Sequence, residues 1–225
     1  MTTHIGMLLF PRLTELDLTG PYEVFAQMPD TRVHLVSHSL DAVVSAYGLA
    51  IAPDTTCDGC PPLDVLFVPG GPGISGAIES RATLDFLRRH ARAAKYVTSV
   101  CTGALVLGAA GLLKGYRATT HWLSLDLLPT VGAVPVPERV VVDQNRITGA
   151  GVTAGIDFGL VVAAHLFGED VARSIQLMME YDPAPPFDSG SPRKAPAALV
   201  TRVTERMRKV QEDRKRLLAA AVAQQ

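Results

Sequence analysis

The chain has 225 residues, 48% hydrophobic and 19% charged, a composition typical of one globular domain with a sizeable core. A formal net charge of −1 argues against the basic surface that non-specific nucleic-acid binding requires. The N-terminal residues lack the layout of a signal peptide, and no apolar run reaches the roughly 18 residues of a membrane span. We therefore expect a cytoplasmic protein that binds neither nucleic acid nor membrane.

The first hundred residues alternate between short apolar runs and amphipathic stretches, which indicates an α/β fold with a largely parallel sheet. Strands are predicted at residues 5–10, 33–36, 64–68 and 97–100, with a small hairpin between residues 43 and 51. Helices are predicted at residues 82–94 and at residues 21–28, where Pro21 would occupy the first helical position.

The same alternation continues as far as Tyr181. The pattern predicts a strand at residues 117–120, a hairpin around a turn at residues 143–145, and helices at residues 102–113, 152–167 and 169–180. Prolines exclude regular structure from residues 182–192, and a charged amphipathic helix is expected from residue 197 to 223. We expect an α/β domain of residues 1–181, followed by a proline-rich strap (residues 182–196) and a helix. This tail, residues 182–225, would pack on the same domain.

Cys101 lies where a β-branched run ends and a small, Gly- and Ala-rich helical pattern begins. A tight turn between a strand and a helix presents its central residue at the carboxyl edge of a sheet. The helix N-terminus also favours a thiolate at that position. We therefore expect an exposed, activated nucleophile, although a buried structural cysteine would fit the same local pattern.

Two further loops follow the carboxyl ends of strands and can meet Cys101 at the same edge of the sheet. The Gly70-Gly71 turn lets backbone N–H groups approach a substrate closely, and with the Thr102 N–H it would form an anion-stabilising pocket. The alternative is a turn that only ends a strand. The other loop carries Asp17 between two leucines, a setting that would raise the pKa of its carboxyl. A loop or capping aspartate is the alternative there, and the nearby Glu15 is expected to face solvent.

The remaining cysteines and histidines are expected to be structural. Cys57 and Cys60 have C-x-x-C spacing, but two prolines follow at once, and no second pair of ligands completes a zinc site. An odd cysteine count also argues against a disulfide framework. His121 is the one histidine that could serve Cys101 as a base, although a structural histidine beside Trp122 is the interpretation we favour.

Several motifs together resemble the ThiJ/PfpI superfamily, the class I glutamine amidotransferase-like proteins, over nearly the whole chain. They include the early Asp17, the elbow around Cys101, and the proline-rich segment after Tyr181. The matching stretches are residues 16–21, 61–65, 69–71, 97–103, 117–122, 153–158 and 181–192. The resemblance implies a flavodoxin-like three-layer α/β sandwich with a largely parallel central sheet.

Within the superfamily, the early Asp17 and the proline-rich tail are most similar to the branch that hydrates isocyanides. That resemblance implies addition of water to R–N≡C to give an N-substituted formamide. Cys101 would attack the isocyanide carbon, Asp17 would donate and later remove a proton, and Thr102 with Gly71 would orient the adduct. The scheme needs no metal or organic cofactor, and its partner is a small-molecule isocyanide.

Three other functions stay open on the same resemblance. One is a ligand-sensing domain of transcriptional regulators, although the about 40 residues after Tyr181 are few for a helix-turn-helix module. Another is a glyoxalase- or deglycase-type enzyme, and the third is a redox sensor that uses oxidation of Cys101. The superfamily also implies a homodimer, in which a partner would cover the stiff proline-rich strap and the apolar stripe of the last helix.

Overall fold

The strands are short and alternate with helices along most of the chain. The computed structural model describes residues 2–224. The described strands are β1 (Thr3–Leu8), β2 (Thr31–Ser37), β3 (Val43–Val44), β4 (Ala50–Ile51), β5 (Thr55–Thr56), β6 (Val65–Val68), β7 (Tyr96–Val100), β8 (Arg117–Ala118), β9 (Val134–Pro135), β10 (Val140–Asp143) and β11 (Arg146–Gly149).

Seven of these strands form the central sheet, in the order β10-β11-β7-β6-β1-β2-β5. Every neighbouring pair is parallel except β10 and β11, which pair antiparallel as the predicted hairpin. Strands β3 and β4 form the predicted small hairpin beside the main sheet. The largely parallel α/β architecture predicted from the sequence is therefore confirmed.

The helices lie in two groups that cover the sheet. Helix α1 packs on α5 and α5 on α6, while α4 contacts α2, α3, α7 and the 3₁₀ helix. The described helices are α1 (Glu15–Ala26), α2 (Ile74–Glu79), α3 (Arg81–Ala91), α4 (Gly103–Ala109), the 3₁₀ helix (Trp122–Val131), α5 (Ala154–Phe167), α6 (Glu169–Met178) and α7 (Ala197–Val222). Among residues 2–224, no helix combines the length and apolar character needed to cross a bilayer.

The core between α1, α5 and the sheet is built from three buried aromatic rings. Phe25 of α1 and Phe158 of α5 both pack on Phe67 of β6, with ring centroids 5.6 to 6.1 Å apart. These separations are typical of aromatic pairs. Gly159 lets α1 and α5 approach closely, because an added Cβ would lie 3.0 Å from the Val24 side chain. This contact fixes α1 over the sheet and therefore fixes the residues of its first turn.

The first helix begins six residues earlier than predicted. Pro21 lies inside α1 and not at its start, so Asp17 belongs to the first helical turn and not to a loop. Proline is unfavourable at this interior position, because it removes the hydrogen bond that an N–H would have donated to the Asp17 carbonyl, and the packing of α1 on α5 outweighs that cost. The carboxylate of Glu15, also in the first turn, suits the positive end of the helix dipole.

Other elements were misplaced or missed where local propensity is weak. The predicted helix at residues 102–113 ends at Ala109, and the predicted strand at residues 117–120 has two residues. The short α2 and the 3₁₀ helix Trp122–Val131 were not predicted. The last helix was predicted to within a residue, but Val210, assigned to its apolar stripe, is exposed. Most of the proline-rich strap is also exposed.

Candidate active site

Cys101 lies in a strained turn between β7 and α4. Its φ of +51° is in the left-handed region, which non-glycine residues rarely adopt. The turn is held from both sides: the Cys101 N–H donates to the carbonyls of Gly149 and Ala150, and the Cys101 carbonyl accepts the Thr120 hydroxyl at 2.7 Å. The tight strand-to-helix elbow predicted from the sequence is therefore present, and its geometry is fixed by three hydrogen bonds.

Asp17 reaches the elbow from the first turn of α1. Its Oδ2 accepts the Gly70 N–H at 3.0 Å, and its carboxyl interacts with the Cys101 thiol. Its other oxygen, Oδ1, is buried with no hydrogen-bond partner among the described residues. Burial raises the pKa of Asp17 to about 7, and the contacts with Cys101 and Gly70 offset part of that rise. The expected proton-holding carboxyl is therefore present beside the sulfur.

Cys101 is buried, with 5% of its surface exposed, so the expected exposed position is wrong. Burial and the neighbouring carboxyl of Asp17 raise the pKa of the Cys101 thiol, whereas the sequence predicted the opposite direction. The backbone N–H groups of Val152 and Thr102 interact with the sulfur and lower the pKa of the thiol, which favours the thiolate. The elbow does place Cys101 at the predicted helix N-terminus, but desolvation raises the pKa of the thiol more than the N–H groups lower it.

Val152 is a member of the site that the sequence interpretation missed. It lies before α5 with a φ of +24°, an unfavourable conformation for a β-branched residue. This backbone conformation directs the Val152 N–H towards the Cys101 sulfur. A valine in the sequence gives no signal for such a role, because the contribution is made by the backbone.

The Gly70-Gly71 turn has the predicted close approach but not the predicted free donors. The Gly70 N–H is bonded to Asp17, and the Gly71 N–H donates to the Thr102 hydroxyl at 3.0 Å. A Cβ on Gly70 would lie 2.5 Å from the Thr102 nitrogen and 2.8 Å from Asp17 Oδ2. Glycine is therefore required at position 70, because Asp17 and Thr102 lie so close to the backbone there that no Cβ atom fits.

Two residues considered from the sequence have structural partners. Glu15 is half-buried and not fully solvent-facing, because it accepts hydrogen bonds from the Ser45 hydroxyl and the Tyr47 N–H. His121 stacks beside Trp122, and its Nδ1 accepts the Leu123 N–H at 3.3 Å, which caps the 3₁₀ helix. Burial lowers the pKa of His121, so this capping ring is held neutral.

Arg214, on α7, is the second residue near the site that the sequence interpretation missed. Its side chain is 8% exposed, and burial lowers the pKa of its guanidinium while Cys101 acts in the opposite direction. The sequence did carry a signal for it, because residues 207, 211, 214, 218 and 221 repeat at helical spacing on the inner face of α7. The sequence interpretation instead placed this basic side chain on the solvent-exposed face of the helix.

Comparison with known proteins identifies the family of this chain. Residues 3–165 match the DJ-1/PfpI family. An isonitrile hydratase from Pseudomonas putida is 58% identical over 206 residues, which cover 92% of this chain and 90% of that protein. The HTH-type transcriptional regulator GbdR of Pseudomonas aeruginosa is 32% identical over 186 residues, which cover 79% of this chain and 50% of the regulator.

Solved structures agree with this placement. A crystal structure of a ThiJ/PfpI family protein from Pseudomonas syringae superposes with a TM-score of 0.95 at 47% sequence identity. The superposition covers 97% of this chain and 91% of that one, and it includes the strap and α7 as well as the α/β domain. From its sequence, its topology and its elbow cysteine, the chain belongs to the DJ-1/PfpI family.

Proposed function

We propose that the protein is an isocyanide hydratase, which converts R–N≡C and water to the formamide R–NH–CHO. The observation that carries the proposal is the buried pair of Asp17 and Cys101, a proton-holding carboxyl in contact with a thiol at a strained elbow. The similarity to the Pseudomonas putida isonitrile hydratase over nearly the full length of both chains supports it.

The first step uses the unusual carbon of an isocyanide, which accepts a nucleophile and a proton at the same atom. The Cys101 sulfur forms a bond to the terminal carbon, and the proton shared with Asp17 is added to that carbon. The product is the thioimidate R–N=CH–S–Cys101. A carboxyl whose pKa is about 7 suits this task, because it holds the proton near neutrality and can still release it.

The second step hydrolyses the thioimidate. The Asp17 carboxylate, which has given up its proton, removes one from an attacking water as the oxygen bonds to the carbon. Asp17 passes that proton to the nitrogen, the carbon–sulfur bond breaks as the hydroxyl oxygen releases its own proton and forms the carbonyl, and the formamide leaves. The proton returns to the Asp17–Cys101 pair, so one carboxyl acts first as an acid and then as a base.

Thr102, Gly70 and Gly71 orient these reacting groups in the proposal. Thr102 directs its N–H to the Cys101 sulfur, and its hydroxyl is fixed by Gly71. Gly70 fixes Asp17 through its N–H. The turn therefore sets the geometry of both the acid and the nucleophile.

Turnover of p-nitrophenyl isocyanide tests the proposal directly. We expect the purified protein to form p-nitrophenyl formamide, measured by absorbance and mass spectrometry, and the Cys101→Ala variant to form none above background. Methylglyoxal, offered in parallel, distinguishes a glyoxalase on the same fold. Absence of formamide, or consumption of methylglyoxal alone, would contradict the proposal.

We further propose that the protein is a cytoplasmic homodimer in which the tail packs on the α/β domain of residues 1–181. Helix α7 already contacts α2, α4 and the 3₁₀ helix, which supports one domain with an attached tail. Leu177, Met178 and Phe187 are each at least 80% exposed, near the start of the strap. A second copy would cover them. Light scattering should give a mass near twice 24.0 kDa, and a monomer mass would contradict this.

A further inference from the structure

The segment of residues 149–153, which leads from β11 into α5, holds the Cys101 elbow through its backbone. The Cys101 N–H donates to the Gly149 carbonyl at 3.1 Å and to the Ala150 carbonyl at 2.8 Å. Two positions further on, Val152 has its strained φ of +24°. A β-branched residue keeps such a conformation only where the surrounding structure enforces it. We therefore looked for the contacts that fix this segment.

Arg139, the residue before β10, is attached to the segment at both ends. Its carbonyl accepts the Ala150 N–H at 2.9 Å. Its guanidinium reaches the other end, where Nε donates to Asp157 Oδ2 at 2.7 Å in the first turn of α5. A longer hydrogen bond, of 3.4 Å, joins Nη2 to the Thr153 hydroxyl. The strained Val152 therefore lies between two points that the same arginine holds.

The contacts of Asp157 meet on one oxygen and join three parts of the chain. Its Oδ2 accepts the Arg139 Nε–H, lies 2.6 Å from Arg139 Nη2, and accepts the Tyr181 hydroxyl at 2.9 Å. Tyr181 is the residue directly before the proline-rich strap. One carboxylate thus connects the start of β10, the first turn of α5 and the beginning of the tail.

The cluster lies at the surface, so its effect is expected to be local. The side chains of Arg139 and Asp157 are 51% and 33% exposed, and ion pairs at such exposure contribute little to global stability. A local effect needs only that the pair fixes a short segment that would otherwise relax. The segment at Val152 meets that condition, because a valine favours a negative φ when nothing opposes it.

We propose that Arg139, Asp157 and Tyr181 form a clamp that fixes residues 149–153 against the Cys101 elbow. They are positioning residues, because they act on the nucleophile through the backbone of that segment. When the clamp is opened, the strained valine relaxes and the carbonyls that hold the Cys101 N–H shift with it. The catalytic consequence rests on the proposed function, whereas the ordering of the segment can be measured without any substrate.

Hydrogen–deuterium exchange, followed by mass spectrometry of peptides that cover residues 149–153, tests whether the clamp holds the segment. Asp157→Asn removes the negative charge at the centre of the clamp and keeps the size of the side chain. We expect the amides of the segment to exchange at least about tenfold faster in this variant. Tyr181→Phe removes a single hydroxyl and should accelerate exchange by about threefold. It also provides a test should Asp157→Asn fail to fold.

Asp64 offers a matched control at the opposite edge of the sheet. It precedes β6, whereas Cys101 follows the carboxyl end of the neighbouring parallel strand β7. Its side chain is 23% exposed, lies 2.9 Å from the Lys95 ammonium and accepts the His4 N–H. Asp64→Asn therefore removes a comparable ion pair, and it should leave exchange of residues 149–153 within about twofold.

Kinetics with p-nitrophenyl isocyanide separate positioning from a merely structural role. Asp157→Asn should lower kcat at least about tenfold with KM within about twofold, because substrate still binds while the nucleophile is misplaced. Asp157→Glu retains the charge and should recover kcat to within about threefold of the unchanged protein. Asp64→Asn should change neither constant. Circular dichroism and thermal unfolding identify the folded variants.

The proposal is overturned if the folded variants Asp157→Asn and Tyr181→Phe exchange at the rate of the unchanged protein, or if exchange is faster while kcat is unaffected. Equal effects of Asp64→Asn would also overturn it, because general loss of an ion pair would then explain the result. A protein that hydrated no isocyanide but showed the predicted exchange would contradict the proposed function and support the clamp. Normal hydration with unchanged exchange would do the reverse.

Discussion

The two cysteine regions of this chain have similar burial and different chemistry. Cys57 is buried and Cys60 half-buried in a loop, and burial raises the pKa of each thiol to about 11. Cys101 is buried as well, and its pKa is also raised. A raised thiol pKa therefore does not distinguish the proposed nucleophile from the other two cysteines.

The difference lies in what surrounds each sulfur. Cys101 has a left-handed backbone, a neighbouring carboxyl that can hold its proton, and two backbone N–H groups directed at the sulfur. Cys57 and Cys60 have the nearby cation Arg89, but its guanidinium donates to the Cys57 carbonyl at 2.7 Å. The proposed nucleophile Cys101 therefore differs from the other two cysteines in the carboxyl and the backbone N–H groups arranged around it, and not in exposure.

Replacing the nucleophile gives the largest expected difference between the two regions. Cys101→Ala should lower isocyanide hydration by more than about a thousandfold, because no other group can form the thioimidate. Cys57→Ala and Cys60→Ala should stay within about twofold. Initial rates with p-nitrophenyl isocyanide measure all three, with circular dichroism as the folding control. Equal losses of activity for Cys101→Ala and Cys57→Ala would show that the two cysteine regions do not differ in function.

Substitution of Asp17, the proposed proton holder, tests the difference between the two cysteine regions while all three cysteines stay in place. Asp17→Asn should cost about 10² to 10⁴ in kcat, the usual range for a general acid–base group. Asp17→Glu should recover part of the rate, because the proton donor is present but displaced. A rate for Asp17→Asn within about tenfold of the unchanged protein would mean that another group supplies the proton.

The burial of Asp17 also predicts how stability depends on pH. The folded protein holds the Asp17 proton up to a pKa of about 7, whereas the unfolded chain releases it near 3.8. Stability should therefore fall as the pH rises from about 4 to about 7 and then level off, by up to about 4 kcal/mol. Asp17→Asn lacks this loss and should be the more stable protein at pH 8, with the two alike near pH 4. Urea unfolding at both pH values measures the difference.

A reversed order, with Asp17→Asn less stable at pH 8, would show that the buried carboxyl is stabilising when ionised. That result would also conflict with its role as a proton holder near neutrality.

The backbone around the two regions should differ in its tolerance of a single added methyl group. Gly70→Ala places a Cβ 2.5 Å from the Thr102 nitrogen, and we expect a loss of about 1–3 kcal/mol together with most of the activity. Gly59→Ala, beside Cys60, meets the Thr56 hydroxyl at 3.1 Å, which a side-chain rotation can relieve. Chemical denaturation of both variants checks this, and similar losses would show that the elbow is no tighter than the loop.

Several features followed from the sequence because the responsible signals are local. Apolar runs, turn residues and the β-branched stretch before Cys101 depend on neighbours within a few residues. They were sufficient for the α/β class, the two hairpins, the elbow and the long helix α7. The pairing of Asp17 with Cys101 followed from the rule that the carboxyl ends of parallel strands share one edge, together with the family resemblance.

Tertiary packing decided the features that local signals could not supply. The start of α1 is set by its contact with α5, which overrode the usual preference of Pro21 for the first helical position. The direction of the Cys101 pKa depends on desolvation by distant parts of the chain, and the Val152 contribution depends on a backbone angle. Arg214 lies 113 positions from Cys101, and burial of its charge becomes evident once α7 has docked. A sequence specifies which groups are available, whereas burial and distance, which determine their charge states, exist only in the folded chain.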